Sequence, residues 1–168
     1  MAQHKKNIAV IGCGYWGKNL VRNMAELGAL AAVADSHLPH AEAQAAQHAV
    51  PVRTVEAILA DPAIEGIVIA APAAQHATLA AQALEAGKHV LVEKPLALTV
   101  TDARALKALA ERHDRKLMVG HLLQYHPAYI RLRELVEAGA LGELHYVYSN
   151  RLSLGKIRVE ENVLWSFA

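Results

Sequence analysis

Three glycines, one aspartate and one lysine are the residues whose types and spacing point to chemistry in this 168-residue chain. Residues 7–17 read NIAVIGCGYWG, a short apolar run feeding into Gly12-x-Gly14-x-x-Gly17. Gly12 permits a tight turn, Gly14 lets a pyrophosphate approach the backbone, and Gly17 lets the following helix pack closely on the strand. The N-terminus of that helix offers unpaired N–H groups and a partial positive charge to phosphates. Tyr15 and Trp16 lie within the turn and count with the cofactor-contacting residues. A second apolar run, 29–34, ends on Asp35, a carboxylate that can accept hydrogen bonds from the adenosine ribose hydroxyls. The glycines alone carry little weight. Strand before, helix after and an acid at this distance together mark a nicotinamide dinucleotide site.

Lys94 is the second chemical candidate. It follows the apolar run 89–92, on the carboxyl edge of the sheet where ligands bind in open α/β folds. An ammonium there can hydrogen-bond a substrate hydroxyl or carbonyl oxygen and move its proton. Pro95, directly after it, restricts the backbone that aims it.

The elements that must position these residues alternate. Strands are expected at 8–11, 29–34, 66–70, 89–92 and 116–119, with a short edge strand at 50–52, where Pro51 cannot donate to a central ladder. Helices are expected after Gly14 up to Gly28, with Trp16, Leu20, Val21, Met24 and Leu27 on one face, and over 40–47, 54–59 (capped by Thr54), 75–86 and 101–112 (capped by Thr101). Strand–helix alternation predicts an α/β fold with a doubly wound parallel sheet over residues 1–120. From His121 the pattern changes: a helix from Pro127 to about residue 138, then a strand-like run over 143–154, with Leu144, Tyr146 and Tyr148 alternating. Residues 121–168 therefore read as the incomplete beginning of a second α/β domain, since a lone strand can neither bury its face nor pair its backbone.

Composition narrows the function classes. Apolar residues make up 54% and charged residues 20%, as in a globular protein with a substantial core. Seventeen basic and sixteen acidic side chains leave a net charge of +1, with no basic run of the kind that binds nucleic acid or a membrane surface. No apolar stretch has membrane-spanning length, no secretory h-region is present, and the single Cys13 fits a reducing compartment, so a cytoplasmic location is expected. Cys13, between two turn glycines, is read as a small residue rather than a reactive thiol. Of the ten histidines, His37 with His40 and His121 with His126 are the closest pairs, but neither has further ligands at metal-binding spacing, and no metal is expected.

The glycine turn, Asp35, Ala71-Pro72 with His76, and above all residues 86–95, AGKHVLVEKP, resemble the glucose–fructose oxidoreductase / inositol dehydrogenase / rhizopine catabolism (Gfo/Idh/MocA) family. The resemblance runs through the whole chain. It implies a Rossmann domain binding NAD or NADP, a C-terminal α/β domain with an open sheet, and hydride transfer at a carbon of a sugar, cyclitol or related compound. It makes Lys94 the catalytic lysine that contacts the reacting oxygen. Glu93 and Pro95 shape its loop through a peptide that is often cis, and Ala71, Pro72 and His76 border the cofactor. It makes Asp35 the residue favouring NAD over NADP, because a carboxylate repels a 2′-phosphate.

The segments 120–127, 148–158 and 160–168 resemble members acting on nucleotide-linked sugars, the UDP-N-acetylglucosamine 3-dehydrogenase-like proteins; Asn150 and Arg151 are the substrate-facing candidates there. Gln124 stands where relatives often carry arginine. The family's Leu-x-Asp-x-Gly-x-His pattern is met only by Leu164-Trp-Ser-Phe-Ala168, so its histidine would fall two residues further on. The expectation is an NAD-dependent oxidoreductase of a sugar or nucleotide sugar. The alternative is a non-catalytic NAD-binding fragment or remnant of one, with homo-oligomer formation reserved for a full-length version.

Overall fold

The computed structural model describes residues 7–150. It divides into two compact units, the first ending at Val119 and the second starting at Gly120.

The first unit is a five-stranded, wholly parallel sheet: β1 (Ile8–Ile11), β2 (Leu30–Ala34), β3 (Gly66–Ile69), β4 (His89–Val92) and β5 (Leu117–Val119), in the order β2-β1-β3-β4-β5. The helices are α1 (Gly17–Glu26), α2 (Leu38–His48), α3 (Val55–Ala60), α4 (Ala73–Glu85) and α5 (Val100–Arg112). The expected doubly wound α/β architecture is the one observed. Period-two alternation builds its two cores. Val10, Val33 and Val68 turn toward Leu20 and Val21 of α1 and Ala41 of α2. Ala9, Ile11, Ile67, Ile69, Val90 and Val92 turn the other way, toward Ile58 of α3, Ala80, Ala83 and Leu84 of α4, and Leu106 and Leu109 of α5. Strands β1 to β3 are apolar on both faces because both faces are packed, whereas Met118 of the edge strand β5 is exposed.

The chain leaves β1 for β2 on one side and returns to β3 on the other. The strand order thus reverses at β1, and the carboxyl ends of β1 and β3 are where ligands bind in open α/β sheets.

Several elements differ from expectation. Residues 50–52 form no strand but a single bridge, Val33 to Val52, because Pro51 has no N–H with which to extend a ladder. The sheet therefore has five strands, not six. Helix α1 ends at Glu26 and leaves Leu27 exposed; Trp16 sits just before the helix and is half-exposed rather than on its buried face. Helix α5 is capped by Thr99, not Thr101: the Thr99 hydroxyl accepts the Asp102 N–H (3.1 Å) and donates to the Asp102 carboxylate (2.6 Å). Thr99 stands three residues before that acid, the spacing of a capping box, and Thr101 does not. Helix α4 starts at Ala73, directly after Pro72, rather than at residue 75.

In the second unit, a 3₁₀ turn (Leu122–Tyr125), which the sequence reading does not contain, precedes α6 (Pro127–Glu137). Residues 143–150 are not a strand, and Tyr146 and Tyr148 are exposed. Alternation alone does not make a strand; a ladder partner is required, and none pairs with this segment among the described residues. Residues 151–154 of that run, Arg151 and the Leu164–Ala168 pattern lie outside the described residues.

Candidate dinucleotide and lysine site

The glycine turn connects β1 to α1, and each glycine in it answers to a different constraint. Gly12 has φ +95°, and a Cβ there would lie 2.5 Å from the Ala70 carbonyl carbon. A Cβ on Gly17 would lie 2.0 Å from the Gly12 carbonyl oxygen. These two are glycines because the fold leaves no room. Gly14 is different: a Cβ there would meet only His40 Nδ1, at 3.9 Å. The protein itself does not need glycine at 14, so the missing side chain serves open space over the turn. Helix α1, which begins at Gly17, has no side-chain N-cap bond and no acidic residue in its first turn. The Lys18 and Asn19 N–H groups donate to the Gly14 and Trp16 carbonyls, and the positive end of the helix dipole is left without a side-chain counter-charge. Space without side chains and an uncapped helix end fit a pyrophosphate.

Asp35 stands at the end of β2 beside this turn, and its carboxylate is more heavily engaged than the sequence implies. One oxygen accepts the Cys13 backbone N–H at 2.6 Å and the other the His37 N–H at 2.7 Å. Asp35 thereby ties the glycine turn to the β2 end, and its side chain is only 10% exposed. A carboxylate has about four acceptor positions, so capacity for ribose hydroxyls remains. His40 approaches the Cys13-bound oxygen to 3.9 Å and packs edge-on against His37 at 4.4 Å between ring centroids. The histidines weighed as a metal pair instead flank the aspartate, a placement that their spacing alone does not signal. Among the described residues no group of three His, Cys, Asp or Glu side chains gathers as a metal site.

Cys13 is buried, its thiol directed at the Ala34 carbonyl oxygen at 3.6 Å. Burial first, and the Asp35 charge second, push its pKa up to about 12. The thiolate that alkylating reagents attack therefore forms only near pH 12. Alkylation of the native protein by iodoacetamide at pH 7.5 is expected to run about tenfold or more slower than that of a free cysteine, whose pKa is about 8.5. Rapid stoichiometric labelling of the folded chain would show the thiol to be open.

The loop after β4 carries Glu93, Lys94 and Pro95, joined by a cis Lys94–Pro95 peptide. Two side chains tie this loop to its neighbours. Trp16 donates its indole N–H to Glu93 Oε1 at 2.8 Å, and the other carboxylate oxygen accepts the Lys94 N–H at 3.2 Å. His76, 2% exposed on α4, has Nδ1 2.7 Å from the Pro95 carbonyl oxygen and Nε2 2.7 Å from that of Ala71. Its ring thus bridges the β3 end, at Ala71-Pro72, and the lysine loop, with both nitrogens occupied. Lys94 itself is half-buried. Tyr15 is exposed, with the Lys18 ammonium 5.7 Å from its ring centre.

Gly12, Gly14, Tyr15, Trp16, Gly17, Asp35, Ala71, Pro72, His76, Glu93 and Lys94 thus lie on the turns and helix starts at one edge of the first unit, beyond the carboxyl ends of β1 to β4. Asn150 belongs to the second unit, where its side-chain amide donates to the Tyr148 hydroxyl at 3.1 Å.

Fold and glycine turn together define a Rossmann-type nucleotide-binding domain. Residues 6–121 match the model of the Gfo/Idh/MocA oxidoreductase family, NAD-binding Rossmann fold. The chain belongs to that family. It is 32% identical to inositol 2-dehydrogenase 1 of Saccharopolyspora erythraea over 161 residues, covering 88% of this chain and 47% of the relative. It is 33% identical to UDP-N-acetylglucosamine 3-dehydrogenase of Acidithiobacillus ferrooxidans over 152 residues, covering 89% and 46%. The crystal structure of GenD2 from gentamicin A biosynthesis, in complex with NAD, superposes with a TM-score of 0.75 at 31% identity, covering 82% of this chain and 40% of that one. The chain spans about a quarter to a half of the length of the curated relatives that it matches. No helix among the described residues is long and apolar enough to cross a membrane.

Proposed function

We propose that this chain binds NAD across the carboxyl edge of β1 and β3 and serves the oxidation or reduction of a secondary alcohol on a sugar or nucleotide sugar. The observation that carries the reading is the 2.8 Å bond from Trp16 to Glu93, which holds the lysine loop against the dinucleotide turn. The groups that would hold a pyrophosphate and the group that would act on a substrate oxygen thereby share one edge. Relatives named for inositol and for UDP-N-acetylglucosamine support a polyhydroxylated substrate.

Gly14 and the first turn of α1 would receive the pyrophosphate, and the free acceptor positions of Asp35 the adenosine ribose hydroxyls. Bound there, NAD supplies the hydride acceptor. Lys94 would orient the substrate oxygen by hydrogen bonding: in oxidation its neutral amine would accept the hydroxyl proton as hydride leaves the carbon, and in reduction its ammonium would return that proton to the oxygen. Glu93 fixes the Lys94 backbone, and His76 holds the far side of the loop through the Pro95 carbonyl. Ala71 and Pro72 would border the cofactor at the β3 end.

Cofactor choice follows from Asp35. Its carboxylate meets ribose hydroxyls as an acceptor but meets a 2′-phosphate as a like charge at short range. NADH is expected to bind at least about tenfold more tightly than NADPH, equivalent to about 1.4 kcal/mol or more. Parallel fluorescence titrations of the two reduced cofactors decide the point. Equal or tighter NADPH binding would remove Asp35 from the ribose site, and absence of binding by either would remove the site itself.

A further inference from the structure

Apolar packing does not explain the placement of Trp16. Its ring is 44% exposed and belongs to neither buried apolar cluster. What it does have is a directed contact. The indole N–H, a donor with no acceptor function, reaches Glu93 Oε1 at 2.8 Å across 77 residues of sequence. Glu93 is 9% exposed, so water competes little for that carboxylate. Its second oxygen takes the Lys94 N–H at 3.2 Å, and its own backbone N–H is held by the Ile69 carbonyl of β3 at 2.9 Å. The carboxylate is therefore a short rigid bridge with the dinucleotide turn on one oxygen and the lysine backbone on the other. Hydrogen bonds to an ionised acceptor are stronger than neutral ones, and a buried acceptor that loses its donor bears the desolvation cost. A shift of the turn is thus carried into the loop more readily than it is absorbed by breaking the bond. The opposite side of the loop cannot follow freely, because the Pro95 carbonyl is held by buried His76.

We propose that Trp16 is a positioning residue: through Glu93 it couples the glycine turn to the backbone of Lys94, so that occupancy of the turn by a pyrophosphate shifts the lysine. The proposal rests on the dinucleotide reading above.

The test uses ADP, which ends at its second phosphate and so carries no nicotinamide to touch the lysine loop. In ¹H–¹⁵N spectra of the 168-residue chain at saturating ADP, the Gly14 and Gly17 amides, the Trp16 indole N–H and the Lys94 amide are all expected to shift. In Trp16→Phe, which keeps a ring but removes the donor, the Lys94 shift is expected to be lost while the glycine shifts persist. In Glu93→Gln, which retains an acceptor for the indole, the Lys94 response is expected to survive in part. Saturation removes any change of affinity from the comparison. A Lys94 amide that moves equally in Trp16→Phe overturns the proposal, as does a wild-type Lys94 amide that stays still while the glycines move; the latter needs no variant to fold. Glycine amides that do not respond to ADP at any concentration would overturn the dinucleotide site and this proposal together.

Discussion

Lys94→Ala is expected to lower kcat by about a hundredfold or more in any form of this protein that turns over substrate, the usual scale for losing a positioned acid–base group. That factor corresponds to about 2.7 kcal/mol of transition-state stabilisation. The loss is expected in kcat rather than in cofactor affinity, because the pyrophosphate and ribose contacts assigned above are made by the glycine turn and Asp35, which the substitution leaves in place. The local fold is expected to survive as well: Glu93 is held through its own side chain and backbone, and Pro95 through its carbonyl to His76. Steady-state kinetics paired with a cofactor titration separate the two effects. Near-normal turnover would remove Lys94 from the catalytic role.

The second large effect is one of stability, and it separates two glycines of the same turn. Gly17→Ala puts a Cβ 2.0 Å from the Gly12 carbonyl oxygen and 2.7 Å from its carbon. Both obstacles are backbone, so relief requires moving α1 away from β1 and disturbing the packing of Leu20 and Val21. Overpacking of this kind costs on the order of 3 kcal/mol. For a chain of this size that lowers the melting temperature by roughly 6–12 °C. Gly14→Ala is the informative partner. Its Cβ meets nothing closer than His40 Nδ1 at 3.9 Å, so the melting temperature is expected to hold while NADH affinity falls. Thermal melts of both variants, with NADH titration of Gly14→Ala, test the pair. A Gly17→Ala protein that melts with the wild type would show the helix start to be soft. Undiminished NADH binding by Gly14→Ala would show that no ligand approaches the turn there.

The glycine turn, the parallel α/β order and the placing of Asp35 and Lys94 after strands were legible in the sequence because each depends on local chemistry. Gly12 needs a positive φ that few other residues adopt, and apolar runs in a two-faced sheet need no alternation. Local reading failed where two local signals competed. Thr99 and Thr101 are both good caps, and only the acid three residues after Thr99 distinguishes them. Residues 50–52 and 143–150 carry strand composition, but a strand exists only by pairing, and composition does not name a partner.

By itself, then, the sequence determined the fold class and the family, and it named the residues proposed to meet a dinucleotide and a substrate oxygen. The tertiary structure decided how those residues are held. Asp35 braces Cys13 across 22 residues, Trp16 reaches Glu93 across 77, and His76 bridges to Pro95 across 19. Lys88, an unremarkable lysine in the chain, lies buried with its ammonium donating to the Asp61 carbonyl at 2.6 Å. None of these contacts follows from spacing or composition, because which donor meets which acceptor is set only when the parallel strands bring their ends together, the carboxyl ends for the first three and the amino ends of β3 and β4 for Lys88. A buried polar group must then find a partner among whatever the fold has placed within reach.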